Sequence, residues 1–181
     1  METIMDQQAA LERFRQLPPV QPRELIGLWR GRGLPTGHPL DGVLENLGWF
    51  GKRFTPDMKA DALLFDGGER RLLAIDPAWV PLRMALRFSS FGRTQAARNL
   101  FSYIGRRLRA QGPVATVKTV TYEGVSSAAM VYDSKPITDH FRRIDETRIL
   151  GMMVIEGDAR PYFFELEQVV DPAAATAGTA S

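Results

Sequence analysis

The residues able to do acid–base, nucleophilic or metal chemistry are few. The chain has no cysteine and two histidines, His38 in "TGHP" and His140 in "PITDHFRRID". The absence of cysteine removes disulfides, thiolate metal sites and cysteine nucleophiles. Two histidines without an H-x-H or HExxH spacing make a poor zinc site. Ser126, His140 and Asp133 supply the letters of a nucleophilic triad, but no nucleophile-elbow sequence surrounds the serine. Asp133, Asp139 and Glu165 are available carboxylates, as some are in any chain. We therefore assign no catalytic residue, no metal ligand and no cofactor. His38, at a helix start, reads as a capping or buried hydrogen-bonding group.

The second chemical signal is charge. The formal net charge is +2, but Pro77 to Tyr122 holds eight basic residues and no Asp or Glu, a local +8 against −6 for the remainder. Such asymmetry points to an anionic partner: a lipid headgroup, a membrane surface or nucleic acid. The structural alternative is a solvated helix face balanced by acidic residues nearby. Arg93, Arg98, Arg106, Arg107 and Arg109 are the candidate headgroup contacts.

Glycine supplies the third signal. "GLWRGRG" (residues 27–33) is followed by Gly37, which suggests a dinucleotide loop. The spacing is one residue too long, Pro35 removes an amide, and no P-loop G-K-[ST] follows. Gly27 and Gly31 lie two residues either side of Trp29 and share its strand face, so they are expected to give the indole clearance. Trp29 then reads as a plug at a barrel end. In "PITDHFRRI", alternation puts Asp139 and Arg143 on one face, where they can pair, and His140 and Arg142 on the other. His140 and its neighbours read either as a polar anchor in a pocket or as an edge strand with a wet face.

The elements that must position these groups follow from periodicity. Residues 4–17 have helical spacing, stopped by Pro18, Pro19 and Pro22. "RELIGLWRGRGL" is a strand. "TGHPLDGVLENLGW" is a short helix with Pro39 at its first position, Asp41 in its first turn and Gly48 at its end. "ADALLF-DGGE-RRLLAI" is a hairpin. "TQAARNLFSYIGRRLRA" is a basic helix with Ala97, Leu100, Phe101, Ile104 and Leu108 on one side; of the basic span's aromatic residues Phe88, Phe91, Phe101 and Tyr103, most are expected where a helix would bury them. "VATVKTVTY", "VSSAAMVY", "PITDHFRRI", "TRILGMMVI" and "PYFFELEQV" form an antiparallel meander, and closure with the earlier strands removes its open edges. The tail 171–181 lacks core-forming residues and is expected to be disordered.

Three strings carry a resemblance: Gly27-x-Trp29-x-Gly31, then Thr36-Gly37-His38-Pro39, then Trp49-x-Gly51-Lys52-x-Phe54. They are similar to the GXWXG domain family. "SAAMVYDSKPITDHFRRIDETRILGMM" and "YFFELE" resemble its usual partner, domain of unknown function 4334. The resemblance implies a small barrel, pleckstrin-homology-like or calycin-like, and lipid binding without an established enzymatic activity. The "GLWRG" string also resembles the opening of the haem-binding nitrobindins, but the late axial histidine of that family has no counterpart in "PYFFELEQVV".

The expected fold is therefore α+β, mainly an antiparallel β-barrel, with an N-terminal helix and a packed basic helix. The expected organisation is a helix and proline connector (1–22), one barrel domain (23–170, with parts at about 23–80 and 113–170) and the tail. The favoured function is non-catalytic binding of an anionic phospholipid or fatty-acyl ligand in or at the mouth of the barrel. Its candidate contacts are Trp29, Trp49, Lys52, Tyr132, Asp139, His140, Arg142, Arg143 and Met152. The location expected is the cytoplasm, with peripheral contact to the inner membrane. An enzyme acting on a small hydrophobic substrate is the alternative. Haem binding and nucleic-acid binding by the basic helix rank below both.

Overall fold

The computed structural model describes residues 5–68 and 71–169. Ile4, part of the "DGGE" turn and the tail 171–181 lie outside the described residues. Nine strands form one antiparallel sheet: β1 (Gly27–Gly33), β2 (Trp49–Phe54), β3 (Lys59–Asp66), β4 (Leu72–Ala74), β5 (Ala115–Tyr122), β6 (Val125–Tyr132), β7 (Ile137–Arg143), β8 (Arg148–Ile155) and β9 (Tyr162–Gln168). β1 pairs with both β2 and β9, and β2 pairs with β3. Eight strands thereby close into a barrel, and closure leaves no long unpaired edge.

The ninth strand marks where the wall opens. β5 pairs with the start of β3 at Lys59 and Ala60, whereas β4 pairs with its end, from Leu64 to Asp66. β3 and β5 thus diverge, and β4 fills the wedge. From this wedge the chain leaves as helices: a 3₁₀ turn (Pro77–Trp79), α3 (Leu82–Arg87), α4 (Ser89–Gly92), α5 (Gln95–Ile104) and a second 3₁₀ turn (Gly105–Leu108). The basic helix is shorter than its periodicity suggested, because Gly105 turns α5 into the tighter 3₁₀ form. A single helical turn, α2 (Val43–Asn46), joins this cap: the Asn46 amide donates to the carbonyls of Gly92 and Thr94.

The helix expected to begin at Pro39 begins four residues later, after Gly42. Asp41 is the reason. Its carboxylate accepts the backbone N–H groups of Thr36, Gly37 and His38 at 2.8–2.9 Å, so it organises the loop instead of capping a helix dipole. β2 escaped the periodicity reading altogether. It is short, its pairing with β3 is interrupted by bulges, and Gly51 has φ +150.

Inside the barrel, large rings meet glycines on neighbouring strands. A Cβ on Gly31 would overlap the Trp49 indole, and one on Gly151 would overlap the Phe164 ring. Gly31 therefore makes room for Trp49, not for Trp29 as the "GLWRG" spacing suggested. Trp29 packs at the opposite end, where its indole N–H donates to the Leu25 carbonyl at 2.6 Å and plugs the barrel. Trp49, Phe164, Phe141 and Phe54 form an edge-to-face chain with centroids 5.7–6.3 Å apart.

α1 (Gln7–Gln16) starts at Asp6, whose side chain accepts from Ala9 N. Its Ala10 and Phe14 cover Leu150, Met152 and Phe163 on the outside of the barrel. The proline connector after it is pinned by Ser127, whose hydroxyl accepts from Val20 N at 2.9 Å and donates to the Phe141 carbonyl at 2.7 Å.

Gly31→Ala is expected to destabilise by about 1–3 kcal/mol, the usual cost of overpacking, whereas Gly112→Ala, which faces open space, should be near neutral. Urea denaturation compares them; equal midpoints would contradict the Trp49–Gly31 contact.

Candidate functional site

The interior of the barrel holds one charged cluster. Lys52 on β2 and Asp139 on β7 are fully buried, with Nζ 2.9 Å from Oδ2. The same ammonium donates to the Ala62 carbonyl at 2.9 Å and lies 3.4 Å from the Tyr132 hydroxyl. Phe164, Trp49 and Tyr132 turn ring faces toward it at 5.1–5.8 Å. The ammonium is thus held by a carboxylate, a carbonyl and aromatic faces, each favourable to a desolvated cation. Asp139 is less well served. Its Oδ1 has no hydrogen-bond partner, and burial raises its pKa against the opposing pull of Lys52 and Tyr132. Burial likewise pushes the Tyr132 hydroxyl well up, so it stays protonated and serves as a donor to Asp139.

Above this cluster, between barrel mouth and cap, lies a cavity of about 150 Å³. Leu40, Val43, Leu44 and Leu47 wall it from the β1–β2 connection. Val80, Leu82, Ala85 and Phe101 wall it from the cap, and Leu63, Phe65, Tyr132, Ile137 and Met153 from the barrel. Tyr132 therefore belongs to both sites: its ring faces the cavity, its hydroxyl the ion pair.

The structure separates the sequence candidates into four groups. Lys52, Tyr132, Asp139 and Trp49 converge inside the barrel. Trp29 and Arg143 sit at the far end, and Arg143 pairs with Glu24, not with Asp139. Those two share a strand face, but Lys52 on the opposite wall reaches Asp139 first. His140, Arg142 and Met152 lie on the outer face, beneath or beside α1. Met152 packs with Phe14, and its neighbour Met153 faces the cavity. Arg142 is buried with its guanidinium 4.8 Å from the Phe14 ring centroid. His140 stacks on Tyr122, so it is neither a pocket anchor nor part of a wet edge strand.

The fourth group is the arginines. Arg93 is engaged by the loop, where it donates to the carbonyls of Pro39 and Asp41, so it is not a free headgroup contact. Arg98, Arg106, Arg107 and Arg109 are exposed on the cap. The aromatic rings of the basic span depart from expectation. Phe88, Phe91 and Tyr103 are 54%, 49% and 75% exposed. Two short helices, α3 and α4, precede the expected basic helix, and together the three have more apolar surface than the barrel mouth covers.

Catalytic geometry is not assembled from the residues considered. Ser126 and Asp133 stand at opposite ends of β6, roughly 23 Å apart at about 3.3 Å per residue. His140 and Asp139 point to opposite sides of the barrel wall. Among the described residues no group of three His, Asp or Glu side chains could hold a metal ion, and no helix is long and apolar enough to cross a membrane. His38 is buried; its Nδ1 accepts from Leu40 N, and burial lowers its pKa. Cavity residues such as Leu63 and Ile75 escaped the sequence reading, because an apolar residue lining a void has the same signature as one filling a core.

Fold and site together define a closed eight-stranded antiparallel β-barrel with a helical lid over an apolar cavity and a buried polar floor. Two family models match the chain: "GXWXG protein" over residues 12–69 and "Domain of unknown function (DUF4334)" over 113–168. The chain thus carries both segments, and the two contribute strands to the same barrel. A crystal structure of a protein from Thermomonospora curvata is similar, with a TM-score of 0.68 and 25% identity, over 92% of this chain and 90% of that one. Among curated proteins none matches the sequence.

Lys52→Met leaves Asp139 buried without its partner and is expected to cost roughly 3–5 kcal/mol, whereas Lys52→Met with Asp139→Leu recovers most of that loss. Chemical denaturation of the two variants measures this; equal losses would deny the pairing. His140 gives a pH test. Burial, assisted by Arg142, lowers its pKa to about 4. The unfolded chain protonates this residue below its ordinary value of 6.5, while the folded chain resists down to about 4, so stability falls as pH drops through that window. His140→Gln should remove that component, so its urea midpoint falls less than the wild type's between these two pH values. Parallel curves would refute the assignment.

Proposed function

We propose that this protein reversibly binds an amphipathic, anionic lipid, with the apolar part of the ligand in the cavity under the cap and the cap resting on an anionic lipid surface. One observation carries the reading. Six large apolar side chains are exposed within residues 79–103 (Trp79, Met84, Phe88, Phe91, Leu100 and Tyr103), in a span that is basic and free of acidic residues. Exposed apolar surface rimmed by one sign of charge marks an interaction site. Basic residues near an anionic membrane contribute about 1 kcal/mol each. Exposed Trp and Tyr side chains, apolar with one polar atom, suit the headgroup boundary.

The same cap walls the cavity from the other side. Phe101 lines the inner cavity and also the outer apolar groove between α3, α4 and α5. Ligand pockets commonly occupy about 300–1,000 Å³, so the cavity of about 150 Å³ takes only the end of an acyl chain. A longer segment requires the cap to shift outward. The cap's attachment allows this: α3 and α4 bury none of their residues fully, and α5 buries only Ala97.

Exposed rings beside arginines would also suit single-stranded nucleic acid. The accompanying Met84 and Leu100, which offer no base-stacking surface, favour lipid. Co-sedimentation with phosphatidylglycerol vesicles should show binding at low salt that weakens at high salt. Trp79→Ser with Met84→Ser and Phe88→Ser should reduce it by about tenfold or more without lowering the melting temperature, because these side chains are exposed. Failure to bind any anionic vesicle at low salt, or tighter binding to single-stranded DNA than to vesicles, would sink the proposal.

A further inference from the structure

A second recess adjoins the cavity on the side away from α2. It is a groove of about 780 Å³ between the β3–β4 hairpin and the end of α5. Arg71 from β4's approach, and Arg106 and Arg109 from the turn after α5, line it. All three are exposed, and among the described residues none has a hydrogen-bonded or ion-paired carboxylate. Among the described residues Asp66 is the acidic residue lining the groove, and its carboxylate accepts the Gly68 N–H at 2.9 Å. The end of α5 adds about half a negative charge. Three guanidiniums thus converge on one recess, and an anion placed there is attracted by all of them.

The groove and the apolar cavity share two walls, Phe65 and Phe101. These rings touch with centroids 4.7 Å apart. Phe65 is buried within the barrel wall, whereas Phe101 is half-buried on the cap and also borders the outer apolar groove. Rotation of Phe101 toward that outer groove would join the basic recess to the cavity.

From this juxtaposition we infer that the groove is the binding site for the phosphate of a phosphate-bearing amphiphile, whose chain passes Phe101 into the cavity. The inference rests on the lipid-binding reading above and names the ligand class and its orientation. A phosphate monoester carries up to two negative charges and three terminal oxygens, and so engages several guanidinium forks at once. A carboxylate, with two oxygens, satisfies fewer of them.

The test is a titration by calorimetry of the full chain with lysophosphatidic acid, with a monoacylglycerol of the same chain length, and with inorganic phosphate. It is repeated on Arg71→Gln/Arg106→Gln/Arg109→Gln and, as a control of equal charge, on Arg83→Gln/Arg87→Gln/Lys118→Gln. Wild type should bind lysophosphatidic acid about tenfold or more tighter than the monoacylglycerol, in line with charge-assisted bonds. The groove variant should lose about that factor for lysophosphatidic acid and keep its monoacylglycerol affinity, while the control changes much less. Equal losses in the two variants would overturn the groove assignment alone, since binding of the monoacylglycerol would still report the cavity. Inorganic phosphate binding as tightly as lysophosphatidic acid would reveal a free-phosphate site and overturn it too. If neither amphiphile binds, the lipid reading falls and this inference with it.

Discussion

Trp49 lies across Gly31, and much of the barrel's interior follows from that contact. An eight-stranded barrel has just enough interior for side chains to fill. Here much of the filling is done by large rings, two of them set against a glycine on the neighbouring strand, as with Phe164 over Gly151. Trp49, paired with Phe65 of the cavity wall, stands at the cap end of the barrel, whereas Trp29 plugs the other end. Residues with smaller side chains, Ala60 and Ala62 on β3 and Ala115 on β5, line the wall at the seam where β3 and β5 separate. The helical insertion leaves from that seam. The far end is plugged by Trp29, and the mouth beside Trp49 is where the cavity lies under the cap.

The buried Lys52–Asp139 pair is the price of a polar group in that aromatic interior. Its attraction must offset the desolvation of two charges, and such pairs seldom add net stability over apolar residues of similar size. What the pair does supply is position. Lys52 is fixed by Ala62 on β3 and Asp139 on β7, so it ties together opposite walls that no backbone ladder joins. It also gives the cavity a polar floor through Tyr132. A ligand entering from the cap would meet an aromatic ring first and a hydroxyl behind it.

The sequence disclosed the strands of the second half almost to the residue, since "VSSAAMVY" and its neighbours are runs of about eight residues bounded by turn residues. It disclosed the first half less well. β2 has no clean alternation because a bulge at Gly51 brings successive residues inward, and Asp41 reads as a dipole-favouring residue until its three backbone partners are seen. Face assignment within β7 was legible: Asp139 and Arg143 share one face, His140 and Arg142 the other. Which face lay inside was not, because both carry apolar bulk and charge. Phe141 is interior, whereas Met152 and Leu150 are exterior and buried only because α1 covers them. A helix laid on the outside of a barrel erases the inside–outside contrast on which alternation depends.

The same limitation explains the cap. Its apolar residues have the composition of a core helix, so burial was the natural reading for Phe88, Phe91 and Tyr103. The chain breaks into short helices at Pro81, Phe88 and Gly92–Thr94, and a segment so broken cannot align one continuous stripe on the barrel mouth. Its apolar residues divide between two sides. Leu82, Leu86 and Phe101 pack inward, while Trp79, Met84 and Leu100 face outward. A cap with two apolar sides and a basic rim is poorly matched to water and well matched to a boundary. The inner side meets an apolar cavity, and under the proposed reading the outer side meets a lipid surface.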